Sequence, residues 1–453
     1  MDVMPPQSSV HEKTVVEGSE TLAKLSPSML DQPTSEEVSA TTQAAIIPDG
    51  GLQAWLSVFG GWLVSFCTFG FASSFGVFEA YYVNAGTSSS SNISWIGSLQ
   101  LFFLFVLGFP AGKLFDEGYF RLEMAVGTIL VIFCMMMLSL ADPMKYYQII
   151  LSQGIGIGFG SGLLLVPALS VQSHYWRRHR SLMMGLVLSG ASFGGIVYPI
   201  MLNQLFKSIG FAWGVRAAGF ITLGMLVVAN CVLRTRLPSA RQRRKAAGGN
   251  DLPKPKIRDI LTDAPYLWLN VGAVLCLLGV FLPYFYLQLW VNKHRLSETL
   301  AFYTIAILNA SSIIGRTIPN AIADRVGTLN IITPLAGITG ALVFVMFAAT
   351  TPGAVIVFTI LYGAFSGGLN AMCPPAFASM SRSPDEIGIR IGLGYWFCGF
   401  AMLTGSPISG ALLGPQDDWT KPIIFSGVVM LAGTVCLGYA RVLAVRRKGT
   451  QRV

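Results

Sequence analysis

The chain has 453 residues, 53% of them hydrophobic and only 12% charged, with a mean hydropathy of +0.60. Soluble domains carry about 25% charged residues, so an ordinary globular enzyme or binding module is excluded. The formal charge of +9 does not point to nucleic acid, because the basic residues gather in short loops between long apolar runs.

Residues 1–48 are polar, acidic and rich in Ser, Thr, Pro and Glu. They lack the apolar core of a signal peptide, and they read as a disordered cytoplasmic tail before a first span that acts as an uncleaved anchor. Twelve apolar runs follow, at 54–82, 93–115, 122–140, 146–170, 182–206, 212–233, 265–291, 300–322, 329–350, 353–377, 387–412 and 422–444. Each is long enough to cross a hydrocarbon core of about 30 Å, and helices satisfy their own backbone hydrogen bonds there. The predicted fold is an all-α polytopic membrane protein. Six-helix bundles at 49–233 and 264–445 are joined by a basic linker, 234–263, and followed by a tail, 446–453.

The linker "RTRLPSARQRRKAAGGNDLPKPK" supplies much of the positive charge, with Arg177, Arg178 and Arg180 after the fourth span and Arg446, Arg447 and Lys448 after the twelfth. Loop 83–92 has no charge. The positive-inside rule then places both termini in the cytoplasm of a multi-pass plasma-membrane protein. The basic linker also suits anionic lipid, making membrane lipid an expected partner. The seven cysteines all fall in apolar runs without CxxC spacing and read as buried small hydrophobes, and the four histidines lie in tails or loops. No metal site, cofactor or obligate protein partner is expected. "QGIGIGFGSG" (153–162) lacks the strand that a dinucleotide motif requires, so Gly154, Gly158 and Gly162 read as a close-packing helix face.

The chain repeats itself. "AGKLFDEGYFR" (111–121) and "NAIADRVG" (320–327) each place small residues, an Asp and a Gly at the end of the second helix of a half. The first resembles the loop signature of the major facilitator superfamily. "PDGGLQAW" (48–55), "HYWRRHRSLMMG" (174–185) and the Gly315–Arg316 pair resemble the monocarboxylate porter family, its fungal branch above all. The resemblance implies alternating access and a gating role for Asp116, Arg121, Asp324 and Arg325. It also shows two departures. Ser73 stands where proton-coupled relatives carry a lysine, and Ser312 stands where they carry an aspartate.

Arg316 is a charge within the eighth span. On a helical wheel Asn309, Ser312, Arg316 and Asn320 form a stripe about 80° wide, which is expected to face the transport path. Arg316 suits the anionic group of a substrate, with Asn309, Ser312, Asn370 and Ser73 as further binding candidates. Pro374 and Pro375 are expected to break the tenth span beside Asn370. Tyr284, Tyr286 and Gln288 read as interface anchors. Glu79 reads as the one carboxylate well inside a span and the candidate for proton coupling. Asn92 opens a glycosylation sequon, making a glycoprotein an expectation. No Walker A motif or catalytic constellation is present, so neither an ATP-driven pump nor an enzyme is expected. The reading is a secondary active or facilitative transporter of a small organic anion. Its alternatives are an exporter of a fungal secondary metabolite and a non-transporting membrane sensor on the same fold.

Overall fold

The computed structural model describes residues 47–239, 242, 257–383, 386–414 and 418–453. The expected disordered tail, apart from its last two residues, and most of the basic linker lie outside the described residues.

Twelve long helices occur among the described residues: α1 Leu52–Asn84, α2 Asn92–Glu117, α3 Phe120–Leu140, α4 Tyr146–His174, α5 Arg180–Ser208, α6 Gly210–Val232, α7 Ala264–Lys293, α8 Glu298–Val326, α9 Thr328–Ala348, α10 Pro352–Ser379, α11 Ile387–Leu413 and α12 Thr420–Lys448. No strand occurs among the described residues. All twelve expected spans are present, mostly a turn longer than their apolar runs because polar end residues continue the helix. The outward faces are apolar. Ile129 is 68% exposed and Val435 73% exposed, the distribution expected of a protein dissolved in lipid rather than water.

Without a hydrophobic force between helices in lipid, association rests on close packing and interhelical hydrogen bonds. A Cβ at Gly154, Gly158 or Gly162 would press on the backbone of Ile96, Gln100 or Phe103, so these glycines let α4 lie directly on α2. The expected packing role of this stripe is thus met. Helix α8 lies along α10, α7 along α12, α1 along α5, and α3 along α4 and α6. Two further pairs, α5 with α8 and α2 with α11, join the first six helices to the last six.

Two expectations about helix continuity and burial are corrected. Helix α10 runs unbroken through Pro374 and Pro375, both fully packed among neighbours. Within lipid, surrounding helices absorb the lost N–H groups that would break a helix in water. The cysteines are not uniformly buried either, since Cys231 is exposed and Cys436 half-buried.

Helices α2 and α7 are each interrupted at one residue, Leu107 and Phe281, and the longest interruption is in α1. It carries a π-helical turn at Phe66–Gly70, loses helical geometry at Ser73–Ser74 and resumes at Phe75. The Ser74 hydroxyl donates to the Phe71 carbonyl at 2.6 Å and the Ser73 hydroxyl to the Phe69 carbonyl at 3.0 Å, satisfying groups at the break. Interrupted membrane helices commonly line binding sites, because irregular backbone is tolerated only beside protein or a cavity.

Candidate functional site

The break in α1 faces a branched chamber. Adjoining cavities of about 380, 290 and 210 Å³ share residues, with Gln288 of α7 lining all three. Ser73 lines the first and third, and Glu79 the second and third. The largest reaches Asn84, Asn203 and the exposed Lys207 near helix ends, so the chamber opens at the end opposite the basic segments. Its walls mix aromatic rings (Tyr81, Phe206, Phe302) with amide, hydroxyl and ammonium groups. Tyr284 and Tyr286 are half-buried wall residues rather than interface anchors. Their hydroxyls meet Ser366 Oγ at 3.3 Å and the Ser406 carbonyl at 3.1 Å, partners that hold the rings inward.

The stripe on α8 meets the chamber only at its Asn309 end. Asn309, Ser312, Arg316 and Asn320 are all buried, and along most of its length the stripe lies against α5. Asn309 Nδ2 donates to the Gly195 carbonyl at 3.4 Å. The Ser312 and Ser192 hydroxyls share a bond of 2.6 Å. Arg316 Nη1 donates to the Leu188 carbonyl at 3.0 Å. A Cβ at Gly185 would collide with the Arg316 carbonyl and crowd Asn320. Partners at 185, 188, 192 and 195 run opposite to 320, 316, 312 and 309. The stripe is therefore the seam of an antiparallel helix pair, closed in this state.

Arg316 still borders a void. With Asn370, Phe69, Phe105 and Tyr395 it lines a pocket of about 20 Å³, room for about one water. Asn370 itself donates to the Ser366 carbonyl at 3.0 Å. Phe69 lines this pocket and the chamber alike, so its ring separates them. The structure thus groups Ser73, Glu79 and Asn309 in the chamber and Arg316 with Asn370 behind Phe69, while Ser312 lies in neither. Arg316 Nε has no hydrogen-bond partner, and no carboxylate pairs with the guanidinium among the described residues. A buried, unpaired charge is costly, and an arriving anion would offset that cost.

At the basic end two matching aspartate latches bridge the first six helices and the last six. Asp116, ending α2, accepts the Gly388 and Ile389 amides of α11 at 3.2 and 2.8 Å. Asp324, ending α8, accepts the Ser181 and Leu182 amides of α5 at 2.8 and 2.9 Å. The amides of a first helical turn have no acceptor within the helix, and the helix dipole favours negative charge there. The internal repeat foresaw the two aspartates. Their partners are these helix N-termini, whereas Arg121 and Arg325 are exposed beside them. Glycines at φ 99° (Gly118) and 113° (Gly327) turn the chain after each latch.

Sequence reading missed three features. Asp263, before α7, is buried against Arg390 at 2.9 Å and Arg447 at 2.6 Å, and Arg390 also meets Glu386 at 3.0 Å. This ion cluster fixes the first turn of α11, which the Asp116 latch uses. Its charges lie far apart in sequence, from the linker to the start of the eleventh run and the last turn of α12. Asp49 accepts the Arg177 and Arg178 amides at 2.6 and 2.8 Å, so the two motifs read as family signatures bind each other. Glu123, in the first turn of α3, is 4% exposed with neither carboxylate oxygen hydrogen-bonded, so Glu79 is not the sole carboxylate enclosed by the helices. Asn92 is exposed but helical, donating to Ser88 Oγ at 2.9 Å.

The comparisons agree with this architecture. The description of the Major Facilitator Superfamily matches residues 61–351. The chain is 42% identical over 405 residues to the aspyridones efflux protein apdF of Emericella nidulans, covering 89% of this chain and 80% of that one. It is 37% identical over 414 residues to the agnestins efflux protein AgnL12 of Paecilomyces divaricatus, covering 90% and 92%. Among solved structures it resembles a bacterial homologue of the iron transporter ferroportin in an outward-facing state (TM-score 0.65, 14% identity, 85% and 98% covered). It also resembles the human organic anion transporter MFSD10 (TM-score 0.63, 14% identity, 85% and 99% covered).

Proposed function

Because the chain belongs to the major facilitator superfamily and is a multi-pass membrane transporter, we propose that it exports an amphipathic, acidic secondary metabolite by alternating access. The observation that carries this reading is the unpaired guanidinium of Arg316, buried behind Phe69 at the floor of a chamber lined by aromatic and amide groups. Efflux proteins for fungal metabolites align over about nine-tenths of the chain, which supports export. The halves 49–233 and 264–445 rock about this floor. The basic end faces the cytoplasm at the plasma membrane, so the latched state described above is open outward.

In the opposite state the Asp116 and Asp324 latches release, α5 parts from α8, and the stripe at Asn309, Ser312 and Arg316 becomes wall. An anion entering from the cytoplasm pairs with Arg316, Asn370 supplies a neutral hydrogen bond, and Phe69 swings aside as the latches re-form. Ser73 and Glu79 then meet the substrate on its way out, with Glu79 as the proton-exchanging group. Within the superfamily we place the chain nearest the monocarboxylate porters, on the strength of the Asp49 and Arg177–Arg178 contact between their two signature segments. Asn92, on the outer side, is the glycan acceptor.

The test is efflux from reconstituted vesicles loaded with labelled aromatic carboxylic acids, acidic phenols and neutral amphiphiles. Saturable transport of at least one acid is expected, with Arg316→Gln slower by about 10- to 100-fold, the loss of one charge-assisted hydrogen bond. Equal transport by Arg316→Gln removes Arg316 from the site. Transport of neutral compounds alone overturns the anion assignment.

A further inference from the structure

A second basic site lies at the lipid-facing side of the same end. After α12 the chain turns at Gly449 and folds back onto the junction of α8 and α9. A main-chain oxygen of Val453 accepts the Leu329 amide at 3.0 Å, and Val453 is 3% exposed. Asn330 Nδ2 donates to the Gln451 carbonyl at 2.7 Å, and Arg441 of α12 donates to the side chains of both Asn330 and Gln451. Arg452 Nη2 reaches the Asp324 carbonyl at 3.3 Å. The returning segment thereby walls an open groove of about 670 Å³, into which Arg325, Arg441 and Arg452 converge with Asn330, Thr333 and Gln451.

Three features define what fits. No carboxylate side chain lines the groove, and none of the three guanidiniums forms an ion pair among the described residues. Arg441 is already oriented by two neutral partners, so its position does not depend on an arriving ligand. Beside the groove the exposed surface is apolar: Val326, which lines it, Ile322 one turn along α8, and Ile338 on α9. Guanidinium groups suit phosphate oxygens through paired hydrogen bonds. Basic pockets between membrane helices on the cytoplasmic side are suited to anionic headgroups.

We propose that this groove binds the phosphate headgroup of an anionic phospholipid, whose acyl chains lie on the apolar strip beside it. The apolar strip distinguishes this ligand from free phosphate, which would leave that surface unused. The site is separate from the substrate chamber, which opens at the opposite end of the helices. It adjoins a latch, because Arg452 holds the backbone of Asp324 and Arg325 follows it in sequence.

The test uses the full chain in nanodiscs of phosphatidylcholine doped with a few per cent phosphatidylserine, followed by native mass spectrometry of co-purified lipid. The wild type retains phosphatidylserine over phosphatidylcholine. Arg325→Gln/Arg441→Gln/Arg452→Gln loses at least about tenfold of that retention, given the attraction each basic residue exerts near a membrane surface. Arg446→Gln, an exposed arginine outside the groove, retains it. Equal retention by the triple variant and the wild type overturns the proposal. So does wild-type retention that shows no preference for phosphatidylserine, a result readable even where the triple variant fails to fold. Inorganic phosphate at millimolar concentration should leave the bound lipid in place. Its displacement of the lipid, or binding of phosphate with no lipid retained, assigns the groove to a free anion instead.

Discussion

Replacing Asp324 with Asn tests the latch that closes the basic end. The carboxylate accepts two first-turn amides of α5, from Ser181 at 2.8 Å and Leu182 at 2.9 Å. Hydrogen bonds to a charged group contribute about 1.5–3 kcal/mol each, and an unmade buried donor costs about 1–3 kcal/mol. Asparagine keeps one carbonyl oxygen but turns an N–H₂ toward the second amide. The net loss is about 2–3 kcal/mol, or roughly 30- to 150-fold in the equilibrium between latched and open states. A population closed 99:1 would fall to between about 3:1 and about 2:3. The amides of Ser181 and Leu182 report this directly, because a first helical turn offers them no internal acceptor. Hydrogen–deuterium exchange of peptides spanning 178–186, in nanodiscs, should accelerate by about 20- to 60-fold in the variant, following the rise in open population. If the two halves open as rigid bodies, the Gly388 and Ile389 amides, held by Asp116 rather than Asp324, should accelerate too. Unchanged exchange at 178–186 refutes the latch. Acceleration there alone refutes the coupled opening of the two latches.

Two glycines separate packing from gating. A Cβ at Gly315 would collide with the Ala364 carbonyl of α10. Gly315→Ala should therefore cost about 1–3 kcal/mol of overpacking, read as a lower thermal midpoint in detergent. A Cβ at Gly185 would strike the Arg316 carbonyl across the seam between α5 and α8. Gly185→Ala should leave the thermal midpoint nearly unchanged but speed amide exchange in the first turns of α5 and α11. Asp263→Asn removes the shared partner of Arg390 and Arg447. Breaking a buried ion pair from one side costs about 3–5 kcal/mol, so low expression and a depressed thermal midpoint are expected. Glu79→Gln should abolish the dependence of transport on an imposed pH gradient while leaving gradient-free exchange of the labelled acid intact. A retained pH response transfers proton coupling to another carboxylate, Glu123 first.

The sequence by itself determined the twelve helices, the basic end and the two aspartates of the internal repeat. These features are local. An apolar run of about 20 residues must be helical in lipid whatever surrounds it, and Asp–Gly pairs at helix ends recur in register with the repeat. Even the polar stripe on α8 was legible, because Asn309, Ser312, Arg316 and Asn320 share one face at helical spacing. Only the tertiary structure decided what that face meets. In this state Gly185, Leu188, Ser192 and Gly195 of α5 zip against it, and no periodicity within one helix reveals its neighbour. The partners of Asp116 and Asp324 were hidden for a related reason. They are backbone amides, which every residue carries, so side-chain identity gave no signal. The Asp263–Arg390 cluster joins charges 127 positions apart, and nothing within either segment marks the two as partners. Tyr284, Tyr286 and Gln288 became chamber wall because helix rotation, fixed by packing, turned them inward. Composition and period set which segments cross the membrane. Contact between segments distant in the chain set which of their residues the substrate can reach.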